Sequence, residues 1–213
     1  MDPARALAQR VRDALALAPG AARIARLDAV LRERDNRLIV RDWISDNVPA
    51  GSTLHQAVPG AFMRGSQWAR IELYPPPELI ERDLERLVAV RLSERRLRAL
   101  AAELRATGRA GFEEVGFDSA RARFVSWLGD PAPEPRYVLV ARPPVRRLPA
   151  APAALREILA RDYTLLRSFE TGAGDGAASV YDHQDAFFVP FAGFAGVERP
   201  GPSYDLYERR GPS

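Results

Sequence analysis

Four consecutive apolar residues, Tyr137-Val138-Leu139-Val140, sit between Arg136 and Arg142 and constrain this chain more than any other feature. A strand with one wet face alternates apolar and polar side chains, so an unbroken apolar run needs cover on both faces. The run therefore predicts a central strand with packing layers on either side. A helical pattern over Ala153 to Asp162 leads directly into the strand-like stretch Tyr163 to Glu170. That helix-to-strand step is typical of layered α/β domains, and the expected class is α/β, a layered sheet with flanking helices.

The rest of the chain can be read around that strand. Leu38, Ile39, Trp43 and Ile44 suggest one apolar helical face, stopped by Asn47 and the turn Pro49-Ala50-Gly51. Ser52 to Val58 reads as a strand, and the alternation across Gln67 to Tyr74 reads as another. After Pro75 to Pro77, a helical pattern runs from Glu78 to about Thr107, with a break expected at Ser93, a residue suited to capping a new helix. Phe112 to Phe117, Arg121 to Leu128 and Ser203 to Arg209 complete the predicted strands. Ahead of all this, residues 1–34 predict a helical N-terminal arm, with one amphipathic helix over Pro3 to Leu17 and a second carrying Ile24, Leu27, Val30 and Leu31. Residues 35–213 are expected to form a single α/β domain.

Composition excludes several classes of function. The chain has 213 residues, 46% of them hydrophobic and 28% charged, as expected of a folded domain. All 31 basic residues are arginine, but 28 acidic residues leave a net charge of only +3, so nucleic acid is not an expected partner. A GC-rich coding sequence accounts for the arginine, alanine, glycine and proline bias. The absence of cysteine removes disulfides, thiolate metal sites and cysteine nucleophiles. A membrane span needs about 20 consecutive apolar residues. The early run Ala14 to Ala22 is broken by Pro19 and Gly20, and Arg5, Arg10, Arg12 and Asp13 interrupt any signal-peptide core. No signal peptide or transmembrane helix is expected in this chain.

Two stretches carry a family resemblance. The segment Tyr181 to Pro202, YDHQDAFFVPFAGFAGVERPGP, followed by YDLYERR, resembles the C-terminal signature of bacterial dolichyl-phosphate-mannose-type glycosyltransferases, a family that includes the aminoarabinose transferases. Asp35, Arg37, Asp42-Trp43-Ile44, Asn47 and Pro49-Ala50-Gly51-Ser52 resemble the helix and turn that open the soluble domain after that family's last membrane helix. Between these anchors, Glu78 to Pro135 matches poorly. The resemblance implies an extracytoplasmic domain of an enzyme that transfers sugar from a polyprenyl-phosphate carrier, at the outer face of the bacterial cytoplasmic membrane. The family's catalytic acidic loop belongs to its membrane portion, and no position here matches it. The implied role is non-catalytic: aiding acceptor binding or stabilising the membrane part, with that part, the membrane surface, a glycan or a lipid-linked sugar as partner. No catalytic residue, metal or cofactor is expected.

Several local constellations have residue types that could carry chemistry. Phe187, Phe188, Phe191 and Phe194 form a dense aromatic group that fits either a core wedge or a surface for stacking sugars or contacting lipid. Arg146-Arg147, between prolines, fits either a solvated loop or a contact to carrier phosphates. These six residues are the candidate acceptor or membrane-contact surface. Asp182-His183-Gln184-Asp185 has one imidazole beside two carboxylates, which reads as a capped turn in preference to a metal site. The loop Thr171 to Gly176 could hold a phosphate, but no helix follows it, as such sites require. It underlies the alternative expectation, a stand-alone binder of a nucleotide or sugar-phosphate. No Gly-x-Ser-x-Gly elbow accompanies Ser168 and His183, and His55 reads as part of a plain strand.

Overall fold

The computed structural model describes residues 20, 22, 24–58, 70–89, 93–108, 111–126, 128–142, 151–172 and 196–211. A helix over residues 24–32 (α1) precedes α2 (Asn36–Asn47) and β1 (Thr53–Ala57). Then come α3 (Pro77–Arg82), α4 (Leu84–Ala89), α5 (Glu94–Thr107), β2 (Glu113–Asp118), β3 (Arg123–Ser126) and β4 (Tyr137–Arg142). The chain closes with α6 (Ala153–Asp162), β5 (Tyr163–Phe169) and β6 (Ser203–Arg209). The fold is α/β, with one six-stranded sheet in the order β3-β2-β1-β4-β6-β5. β1 runs parallel to β2 and β4, whereas β3, β6 and β5 add antiparallel flanks.

The apolar run does what its pattern requires. Tyr137, Leu139 and Ala141 enter one core with Val40, Ile44 and Val48 of α2 and its C-cap, while Val138 and Val140 enter the opposite core with Leu155 and Leu159 of α6. Leu54, Leu139 and Leu206 are almost completely buried in the first core. A smaller cluster of Ile80, Ala101 and Leu104 joins α3 to α5.

Three sequence expectations change. The buried stripe of α2 is Asn36, Val40 and Ile44, at four-residue spacing, while Leu38 faces outward at 41% exposure. Trp43 instead lies at the β5 edge, with Phe169 against its ring and the Arg167 guanidinium 5.0 Å from it. The helical stretch after the prolines breaks at Asp83 as well as at Ser93, giving three helices. Residues 70–76 do not join the sheet as a strand; they run extended over it. Their hydrogen bonds go elsewhere: the Ile71 N–H donates to Gln56 Oε1 (2.9 Å), and Phe112 N–H donates to the Tyr74 carbonyl (2.8 Å). At the open β5 edge, a register shift between Leu165 and Arg167 interrupts the ladder, a feature that discourages pairing with another chain.

Candidate functional site

Two places combine polar side chains with a defined position in the sheet. The first is the end at which the parallel strands finish. Here β4 stops at Arg142, β5 stops at Phe169 and β6 starts at Ser203, and the register aligns all three. The amino end of α2 docks at this end. Asp35 caps it, accepting from Arg37 N–H at 2.8 Å, and the buried Asn36 amide donates to the carbonyls of Phe169 (3.2 Å) and Pro202 (2.7 Å). Asn36 N–H also donates to the Pro200 carbonyl. Gly201 has φ +95°, and a Cβ there would lie 2.7 Å from Asp35 Oδ1, so both backbone conformation and space call for glycine. The opening stretch and the closing stretch that carry the family resemblance are therefore in direct contact.

The N-terminal arm reaches the same end. Val30 of α1 is buried against Val197, with Leu27 beside it, while Ile24 and Leu31 remain half or more exposed. Gly172 pairs with Val197, and a Cβ on Gly172 would collide with the Gly196 carbonyl oxygen. Close backbone packing thus explains the first glycine of the Thr171 to Gly176 loop; residues 173–176 lie outside the described residues. So do Phe187, Phe188, Phe191, Phe194, Arg146 and Arg147, together with Asp182, His183 and Asp185. The neighbouring described residues set where those segments attach. Arg142 and Ala151 bracket the arginine pair, and Gly172 and Gly196 bracket the aromatic group.

The second place is a cleft between β1 and β2. The two strands pair only from Thr53↔Glu113 to His55↔Val115; beyond that point β2 continues with β3 alone. His55 occupies the point of divergence. Its Nδ1 lies 2.8 Å from the Val115 carbonyl, and its ring packs edge-on to Phe124 at 5.6 Å. A carbonyl can only accept, so Nδ1 carries the proton and Nε2 presents a lone pair. Burial holds this imidazole well below its ordinary pKa, at about 4, with the nearby Arg70 charge adding to the effect, so it is neutral at pH 7. Next along the strand, Gln56 is held by Ile71, donating to its carbonyl at 3.2 Å and accepting from its N–H.

Arg70 and Glu114 form an ion pair across the cleft mouth. Burial raises the Glu114 pKa, and the Arg70 charge opposes that shift. Leu73, Pro75, Leu79 and Phe112 supply the apolar wall of an open cleft of about 360 Å³. This is a crevice at the carboxyl side of adjacent parallel strands, where open α/β sheets place ligands. Sequence reading passed over it. The signal was present as two successive polar residues, His55-Gln56, inside a strand whose neighbours Leu54 and Ala57 are buried.

Elsewhere the arginines are largely compensated. At the opposite end of the sheet, a trough holds Arg136, Arg161 and Arg209, each ion-paired with a carboxylate, Glu208, Asp162 and Glu134 respectively. Arg210 lines the same trough and donates to Thr164 Oγ1 and the Arg161 carbonyl. Among the described residues no group of three or more His, Cys, Asp or Glu side chains could hold a metal ion, and no helix is long and apolar enough to cross a membrane. Comparison with protein-family models, with curated proteins and with solved structures found no match.

Proposed function

We propose that this chain is a non-catalytic accessory domain of the kind that forms the extracytoplasmic C-terminal part of polyprenyl-phosphate-sugar-dependent glycosyltransferases. In this reading it aids acceptor binding or stabilises a membrane-embedded partner. The observation that carries the reading is the contact between the two resembling stretches, Asp35 and Asn36 against Pro200, Gly201 and Pro202. Segments far apart in sequence share a motif more readily when they build one structural unit. The arm docks on that unit, and the attachment points of the arginine pair and the aromatic group lie at the same end of the sheet. A membrane-facing surface would gather such features at one end.

Vesicle flotation tests the proposal. The full chain is expected to float with vesicles containing polyprenyl phosphate, and removal of residues 1–34 or the double change Phe191→Ser with Phe194→Ser is expected to reduce flotation several-fold. Unchanged thermal unfolding in the double variant would place the phenylalanines on the binding surface, while a large loss of stability would make them core. Flotation that ignores polyprenyl phosphate and both changes would remove the reading. A second reading, a stand-alone small-molecule binder, is favoured by the cleft at His55.

A further inference from the structure

We propose that the trough at the amino-terminal ends of β1 and β4 binds an acidic segment of a partner protein, with a carboxylate of that segment on the Arg210 guanidinium. The trough lies at the end of the sheet opposite the docked corner, so this goes beyond the accessory-domain reading and does not rest on it.

The argument starts from a series of pairs with one member missing. Arg136, Arg161, Arg209 and Arg210 line the trough against three carboxylates. The first three arginines pair with Glu208, Asp162 and Glu134 at 3.1, 2.7 and 3.0 Å. Among the described residues no carboxylate pairs with Arg210; its Nε donates to Thr164 Oγ1 at 3.3 Å and its Nη1 to the Arg161 carbonyl at 2.9 Å. A guanidinium has five N–H donors and stays charged, so these two bonds fix its plane and leave the Nη2 donors for a ligand. The backbone beneath is fixed as well: Arg209 N–H donates to the Arg136 carbonyl and Arg210 N–H to that of Asp162, both at 2.8 Å. A donor oriented in advance lowers the ordering cost of binding.

Depth sets which charge a partner meets. The side chains of Arg136, Arg161 and Arg209 are 55%, 68% and 47% exposed, against 35%, 28% and 32% for their carboxylates. Acidic groups therefore make the floor and guanidinium groups the rim. The Arg161 hydrogen bond lowers the Asp162 pKa, and the Arg209 and Arg210 charges lower it further, so this part of the floor lies in a positive field.

Charge and shape choose the partner. Four guanidinium groups and three carboxylates leave one positive charge in excess, which one added carboxylate balances. A polyphosphate or nucleic acid brings a run of negative charge close to the acidic floor. Arginine with carboxylate is also the pairing that the trough already repeats, and the planar fork matches it. At about 1220 Å³ the trough exceeds the span of about 300–1,000 Å³ typical of small-molecule pockets, which leaves room for a length of extended chain.

NMR titration of the full chain tests this, read at the backbone amides of Thr53 and Gly211. The probe is an acetylated, amidated heptapeptide of glycine and serine with one central glutamate, beside the same peptide with glutamine. The glutamate peptide is expected to bind with a dissociation constant of about 1 mM and about fivefold more tightly than the glutamine peptide, the upper end for one exposed ion pair. Arg210→Gln should abolish that preference, while Arg123→Gln, at an exposed arginine of β3, should preserve it. Thr164→Val keeps the Arg210 charge but removes one of its two anchors, should reduce the preference to about twofold, and serves if Arg210→Gln lowers stability. The proposal is overturned if neither peptide binds, if Arg210→Gln keeps the preference, if Arg123→Gln also removes it, or if inorganic phosphate at matched ionic strength binds more tightly than the glutamate peptide. Vesicle flotation depends on none of these residues, so the two proposals fail separately.

Discussion

The two halves of the sheet distribute their hydrogen bonds differently. On one side, β4 and β6 pair without interruption from Tyr137↔Glu208 to Arg142↔Ser203, and β5 extends the ladder. On the other, β1 and β2 share three register positions and then part. Each half also buries polar side chains. In the closed half, Asn36 donates to two carbonyls and ties α2 to the last loop. In the open half, Gln56 is similarly matched by a segment outside the sheet, and His55 bonds to the Val115 carbonyl. In the closed half the buried amide joins a helix to a loop, whereas in the open half the buried imidazole joins two strands at the point where they part.

The comparison can be broken first at the closed half. Leu206→Ala removes a completely buried side chain between two paired strands and is expected to cost near the top of about 2–5 kcal/mol in chemical denaturation. Leu79→Ala, on the cleft wall, should fall near the bottom of that range, because the cavity it enlarges is already open. Equal losses would mean that the halves contribute alike.

His55 sharpens the contrast through pH. Its pKa is depressed from 6.5 to about 4 on folding, so between those values the unfolded chain binds more protons than the folded one. The contribution is complete above pH 6.5 and is lost as pH falls towards 4, by about 3 kcal/mol in all. The imidazole is surrounded by the Phe117 and Phe124 rings and the Val115 carbonyl, and the charge that acts on it is that of Arg70. Subtracting the stability–pH curve of His55→Gln from that of the parent should isolate this slope, and a flat difference would mean that the imidazole is not buried neutral.

The smallest expected effect is at the docking of α2. Asn36→Ala leaves the Phe169 and Pro202 carbonyls without their amide donor, for a loss of about 1–3 kcal/mol. Hydrogen exchange should then quicken at the backbone N–H of position 36, which donates to the Pro200 carbonyl, before it quickens in β4. Simultaneous quickening would show that the docked corner and the sheet open as one unit.

Much of the secondary structure was legible from local pattern. The run from Tyr137 to Val140 required a strand covered on both faces, Ser93 marked a helix start, and Gly108 supplied the left-handed position that ends α5. The α2 stripe was misread because Leu38 is more hydrophobic than Asn36, yet Asn36 is the buried one. Its amide is matched by carbonyls more than a hundred residues away, and no local pattern encodes that match. The extended run at Arg70 to Tyr74 looked like a strand for a related reason. Its alternation is real, with Ile71 buried, but its partners are the Gln56 side chain and the Phe112 amide instead of a neighbouring strand.

The amino-acid sequence by itself determined the α/β class, because an unbroken apolar strand is stable only between two layers and a helix–strand alternation provides them. It also excluded thiol chemistry, since there is no cysteine. Tertiary structure alone decided where β1 and β2 part, that Gln56 bonds to Ile71 while His55 bonds to Val115, and that the opening and closing stretches meet at Asn36. Those outcomes depend on hydrogen bonds between positions distant in the chain, and such bonds exist only once packing has brought both partners into reach.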